Sequence, residues 1–141
     1  MIEDRLKSFL EDIDSDDKER IETAFEALLD KKAERPMLFD LRGKGSYADF
    51  FIVCHGRSDR QVKALSDMLH VKMKQAGIMP LGTEGEQVNH WVLCDYDNLI
   101  VNLFYEPTRG FYDLEGLWSN MERFEPQEIE ALFLKAPEEA E

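Results

Sequence analysis

Two cysteines, three histidines and two aspartates spaced two apart are the side chains of this 141-residue chain whose types and spacing could do chemistry. Cys54-His55 and His90 with Cys94 hold the donor types of a Cys2His2 zinc site. Neither pair has the close Cys-x2–4-Cys spacing that marks such sites, and both cysteines fall inside apolar runs, so they read as buried structural residues. His70 is expected on the polar face of a helix, in solvent. No histidine has an evident acidic or nucleophilic companion, so no Ser-His-Asp or Cys-His arrangement can be argued. No cofactor is expected.

Gly56-Arg57-Ser58 before a helix, with Asp95 and Asp97 later on one strand face, has the form of a nucleotidyltransferase site whose carboxylates hold Mg2+. The same residues are explained more simply as a loop with a helix cap and as ordinary hairpin-turn chemistry. The glycines have neither dinucleotide-fold nor phosphate-loop spacing. Trp91 opens a strand just after the polar segment Glu84-Gly85-Glu86-Gln87-Val88-Asn89-His90. A large aromatic flanked by carboxylates fits the centre of a protein interface, and spacing alone allows a core position as well.

The elements that must position these residues follow from periodicity. Ile2, Leu6, Phe9, Leu10 and Ile13 recur at helical spacing and predict a short N-terminal helix, an appendage ending in the acidic stretch from Asp12 to Asp17. Ser15 can cap a second helix with the stripe Ile21, Ala24, Phe25, Leu28 and Leu29, expected to end near Arg35 because Pro36 disfavours helical geometry before it. Met37–Arg42 and Phe50–Cys54 read as strands, and the unalternating second run suits a central position covered on both faces. Ser58-Asp59-Arg60-Gln61 is a capping-box pattern opening a long helix with the stripe Val62, Leu65, Leu69, Met73 and Ala76, closed at Gly77. Gly82 to Gly85 is expected as a turn. Trp91–Asp95 and Leu99–Phe104, joined by Tyr96-Asp97-Asn98, form a hairpin. Leu114, Leu117, Trp118 and Met121 predict a helix, Pro126 opens a last one, and residues 137–141 read as a frayed tail.

With 43% hydrophobic and 33% charged residues, the chain fits one globular domain; it is too apolar for disorder and lacks a run long enough to span a bilayer. The start of the sequence lacks the pattern of a secretory signal, and two cysteines make no disulfide framework, so a cytoplasmic location and no membrane contact are expected. A net charge of -13 works against a broad grip on nucleic acid and favours a basic partner. The segment from Leu81 to Trp118 carries seven acids and Arg109 as its only base. Any face it exposes should attract a cationic protein surface, although such charge also serves solubility.

A resemblance then emerges from Asp30-Lys31-Lys32-Ala33, Phe39-Asp40-Leu41-Arg42-Gly43, Ser46-Tyr47-Ala48-Asp49-Phe50-Phe51, Gly56-Arg57-Ser58-Asp59-Arg60-Gln61-Val62-Lys63-Ala64, Pro80-Leu81-Gly82, Glu84-Gly85-Glu86, Trp91-Val92-Leu93, Asp95-Tyr96 and Phe111–Trp118. In this order they closely resemble the ribosomal silencing factor family, the Iojap-like proteins, over about residues 20–118. The resemblance implies an α/β fold, a single domain with a mixed sheet flanked by helices and a nucleotidyltransferase-like topology without catalysis. It divides the chain into an N-terminal helical extension (1–15), a silencing-factor domain (16–118) and a C-terminal helical extension and tail (119–141). It implies a non-enzymatic factor that binds the fourteenth large-subunit protein on the intersubunit face of the large ribosomal subunit. Small-subunit joining is thereby blocked and translation repressed under nutrient limitation. A homodimer off the ribosome and little direct RNA contact are also implied. The partner-binding surface would centre on Trp91, with Glu84 and Glu86 before it and Asp95 and Tyr96 after it. The enzyme using Asp95 and Asp97 with Mg2+ is the alternative. Two departures from the family pattern are Asn102, where His is common, and a slightly longer stretch from Gln87 to His90.

Overall fold

The two apolar runs without alternation are the adjacent parallel strands at the centre of a six-stranded mixed sheet. The computed structural model describes residues 1–134, so the expected tail at 137–141 lies outside the described residues. Its elements are α1 (Asp4–Asp12), α2 (Ser15–Asp30), β1 (Glu34–Asp40), β2 (Phe50–Gly56), α3 (Asp59–Gln75), β3 (Gly82–Glu84), β4 (Trp91–Tyr96), β5 (Leu99–Tyr105), α4 (Glu106–Tyr112), α5 (Leu114–Leu117), β6 (Glu122–Phe124) and α6 (Pro126–Phe133). The strand order is β3-β4-β5-β2-β1-β6. Only the β2–β5 pair is parallel, with α3 in the connection between them; every other pairing is antiparallel.

One sheet face carries most of the core. Ile52, Cys54, Val101, Leu103, Val92 and Tyr96 point to this side and pack against Ile21, Phe25 and Leu28 of α2 and Val62, Leu65, Leu69 and Met73 of α3. The α3 stripe is the predicted one, except that Ala76 is exposed. Ser58 Oγ accepts the Gln61 N–H at 3.0 Å, while Gln61 Oε1 accepts from the Arg57 N–H at 2.9 Å, one residue beyond the usual reciprocal cap. Gly77, at φ 80°, closes the helix as predicted.

Several boundaries differ from expectation. Ser15 is the first residue of α2 rather than its cap. That helix stops at Asp30 because Lys32 takes a left-handed conformation (φ 62°), and the N–H groups of Lys32 and Ala33 return to the carbonyls of Leu29 and Leu28. Gly82–Glu84 is an edge strand, not a turn, since Thr83 pairs with Cys94. The helix expected through Met121 is cut to the four residues of α5, and β6 follows to pair with β1. Helix α4, opened by Pro107, was not anticipated.

The expected N-terminal appendage is part of the core. Leu6 and Leu10 are 0% and 2% exposed and share a cluster with Ile129 of α6, while the Phe9 ring packs on Phe50 and Phe124. Arg5 binds both Glu128 carboxylate oxygens, at 2.9 and 3.0 Å, and lies over the Phe124 ring. Leu6→Ala is therefore expected to destabilise the protein by about 3 kcal/mol in urea unfolding, the scale of a fully buried leucine. A loss below about 0.5 kcal/mol, ordinary for surface positions, would return α1 to appendage status.

Candidate functional site

The second sheet face is covered over only part of its width. Leu114, Trp118 and Met121, from α5 and the segment after it, pack on Met37, Phe39, Leu41, Val53 and Phe104, with the Trp118 ring 5.2 Å from Phe39 and 4.7 Å from Phe51. Beyond Phe51 the face opens into a groove of about 510 Å³ lined by Tyr47, Phe51, Leu81, Gly82, Glu84, Leu93, Asp95 and Ile100. Alternation along β4 sets this surface: Val92, Cys94 and Tyr96 turn to the helices, and Trp91, Leu93 and Asp95 turn to the open side.

Trp91 is partly buried and anchored on three sides. Its ring lies 5.1 Å from Phe104, its cross-strand partner, and 4.6 Å from Tyr112 of α4. Its indole N–H donates to Asn102 Oδ1 at 3.0 Å. Asn102, the departure noted in the sequence, is 1% exposed and so has the task of fixing the indole edge. Gly85 carries the approach to Trp91: its φ is +92°, and a Cβ there would collide with the Trp91 carbonyl oxygen. Beside the indole Tyr112 is 50% exposed, with Phe111 against it at 80%, and Tyr47 and Leu81 flank the groove at 80% and 70%.

Of the five partner-binding residues expected from sequence, Trp91, Glu84 and Asp95 share this face. Glu86 is exposed, but its carboxylate turns toward α3, where it accepts from Ser66 Oγ at 3.0 Å. Tyr96 is corrected: it lies on the opposite strand face, 1% exposed, with its hydroxyl 2.6 Å from His70 Nδ1. For the same reason His70 is not the solvated residue expected. Tyr47 and Leu93 line the groove without having been singled out as site residues, because apolar side chains there have no distinctive spacing, and no sequence signal tied the buried Asn102 to the indole.

The alternative chemistry is spent on geometry. Asp95 Oδ2 accepts the Tyr47 hydroxyl at 2.8 Å, a bond that raises the tyrosine pKa, and Asp95 Oδ1 accepts the Asp97 N–H at 2.9 Å, closing the hairpin turn. Cys54 and Cys94 are fully buried, and desolvation pushes both thiols up to about 12. Glu34, His55 and Glu106 bring three ligand atoms within 4.8 Å of one another. That cluster is poorly suited to a cation, because Arg57 binds Glu34 at 2.7 Å and Arg109 donates to His55 Nδ1 at 2.9 Å, which leaves the proton of neutral His55 on Nε2. Arg109, 6% exposed, also pairs with Glu115 at 2.9 Å. The one base between Leu81 and Trp118 is thus inside the protein, and its surface there is acidic.

Geometry and charge define a mixed α/β protein with an open apolar groove rimmed by acids. Comparison with known proteins identifies its family. The family described as "Ribosomal silencing factor during starvation" matches residues 14–141. A ribosomal silencing factor of Halalkalibacterium halodurans is 36% identical over 102 residues, covering 72% of this chain and 87% of the relative. One from Haemophilus influenzae is 37% identical, covering 70% and 97%. A crystal structure of a Chromobacterium violaceum protein, 37% identical, superposes with a TM-score of 0.70 over 72% of this chain and 85% of that one. The chain belongs to the ribosomal silencing factor family.

Two outcomes follow. Asn102→Leu removes the acceptor for the indole, so the Trp91 Nε1–H should exchange faster with solvent in NMR and stability should fall by about 1 kcal/mol; unchanged exchange would show that the bond does not hold the ring. Burial, then the Arg109 charge, lowers the His55 pKa below its ordinary value against the opposing pull of Glu106 and Glu34. The unfolded chain then binds this proton more readily than the native one. The contribution of neutral His55 is complete above about pH 6.5 and is lost as pH falls through the lowered native value. In denaturant titrations between pH 7 and 5, wild type should lose stability more steeply than His55→Gln.

Proposed function

We propose that the chain silences ribosomes by docking its Trp91 face onto a basic protein, the fourteenth of the large subunit, at the intersubunit surface. Its bulk then keeps the small subunit from joining and represses translation under nutrient limitation. The observation that carries this reading is the open apolar groove beside Trp91, rimmed by Glu84 and Asp95 and free of exposed bases from Leu81 to Trp118. Desolvated aromatics at such a centre supply affinity, while the carboxylate rim steers a cationic partner and selects against others.

Obstruction needs no reaction, so the reading is non-enzymatic. A chain of this length has a radius of gyration of roughly 14 Å, enough for one bound copy to separate surfaces that must touch. The net charge of -13 opposes adhesion to ribosomal RNA, in keeping with little direct RNA contact. A cytoplasmic location and a homodimer off the ribosome complete the proposal. Among the described residues, no helix is long and apolar enough to cross a membrane.

Sedimentation of purified subunits tests it directly: added protein should co-migrate with the large subunit and reduce joined ribosomes. Trp91→Ala should keep its circular dichroism spectrum and bind the large subunit about 30-fold more weakly, a loss of about 2 kcal/mol. Undiminished joining in the presence of excess protein would sink the proposal.

A further inference from the structure

One row of residues runs straight across the sheet into the groove. Register sets Phe39 of β1 beside Phe51 of β2, Phe51 beside Ile100 of β5, Ile100 beside Asp95 of β4, and Asp95 beside Gly82 of β3. Trp118 packs on the first two. From Phe51 to the sheet edge the row spans three strand spacings, or roughly 14 Å. Its last member has no side chain, so the groove floor ends in a bare notch beside Asp95, where a Cβ on Gly82 would meet no described atom within 4 Å.

We propose that this trough receives one arginine side chain of the basic partner, with its guanidinium in the notch beside Asp95 and its methylene stem on Ile100 and Leu93. The occupant rests on the docking reading; the subsite deepens it by naming the residue type that is read and the place where it is read.

Charge selects a cation. Asp40, Glu34, Asp67 and Glu128 are each held by a base of this chain, namely Arg42, Arg57, Lys63 and Arg5. Among the described residues, Asp95 and Glu84 have no such base. Asp95 accepts neutral donors instead, the Tyr47 hydroxyl on Oδ2 and the Asp97 N–H on Oδ1, so each oxygen keeps a lone pair for a charged donor. Those two bonds also fix the carboxylate in place before a partner arrives. Glu84, diagonal to Asp95 across the β3–β4 pair, adds a second negative charge to the same end of the trough.

Shape selects arginine over lysine. A guanidinium is planar, presents a fork of N–H donors to a carboxylate and stacks on aromatic faces, whereas an ammonium is a compact and strongly hydrated point charge. At Gly82 the floor is backbone alone, and Tyr47 and Phe51 supply aromatic walls. Ile100 and Leu93 offer the stem the apolar surface along which long charged side chains lie. Tyr47 is a positioning residue here, because it aims the Asp95 carboxylate.

Isotope-labelled full-length protein titrated with the peptide acetyl-Leu-Arg-Leu-amide tests the subsite by NMR. The amide signals of Gly82, Asp95 and Ile100 should shift saturably, with a Kd at least about tenfold below that of the lysine counterpart. The uncharged citrulline counterpart should give no saturable shift. Gly82→Val suits a strand and requires no left-handed backbone, so it should fold, fill the notch and abolish the shifts. Should it fail to fold, Asp95→Asn decides: it keeps an acceptor for the Asp97 N–H and should weaken peptide binding at least about tenfold. In co-sedimentation, Gly82→Val should bind the large subunit about tenfold more weakly than wild type. No shift from the arginine peptide, equal binding of the lysine or citrulline peptide, or binding unmoved by these substitutions would overturn the subsite, while Trp91-dependent sedimentation would still uphold docking. A protein that does not sediment with the large subunit defeats the docking reading, and the peptide shifts then still decide the subsite.

Discussion

Everything on the surface of this protein follows from how the central parallel pair is covered. Strands β2 and β5 carry apolar side chains on both faces, and a strand of that kind must be shielded twice. Helices α2 and α3, of 16 and 17 residues, shield one face together with α1 and α6. Among the described residues, the other is covered by the four residues of α5 and its flanks, which reach across β1 and β2 and stop near Phe51. Lengthening the cover would bury Leu93 and the groove; shortening it would strip Phe39 and Val53. An apolar face left partly open is thus built into the architecture, and exposed patches of this kind mark interaction surfaces.

The charge of that face depends on a residue hidden beneath it. Arg109 is the only base in a segment with seven acids, and the fold withdraws it from solvent to pair with Glu115 and to hold His55 neutral. One guanidinium therefore stabilises the end of the β2–β5 pair and leaves residues 81–118 without an exposed Lys or Arg. Removing a partner from such a buried pair leaves an uncompensated charge. Surface potential and core stability are consequently joined in one side chain.

How much of this was legible in the sequence varies with range. Local signals were sound: Ser58 and Gly77 bound α3, Asp97-Asn98 turn the hairpin, and Pro126 opens α6. Signals that depend on distant partners were not. Gly82–Glu84 looks like a turn until β4 supplies a neighbour, and β6 exists because β1 has a free edge. Lys32 gave no glycine-like hint that it would end α2 in a left-handed conformation. At the site, the charge pattern and Trp91 were readable, whereas the loss of Tyr96 to the core was a matter of parity. In a strand beginning at Trp91, residues 93 and 95 share its face and residue 96 does not. Applied strictly, that rule separates Asp95 from Tyr96 without coordinates.

The same parity explains why one short strand serves two ends. Its outward residues, Trp91, Leu93 and Asp95, stand where a large partner can reach them, and Asp95 is stiffened there by Tyr47 and by its own turn. Its inward residues, Cys94 and Tyr96, meet His70 and are shielded from that partner by the sheet itself. Rigidity on the inner side is useful to the outer side, because binding to an already ordered surface loses less entropy. Asn102 works to the same end from the neighbouring strand: its amide fixes the indole edge and so holds the ring in one orientation.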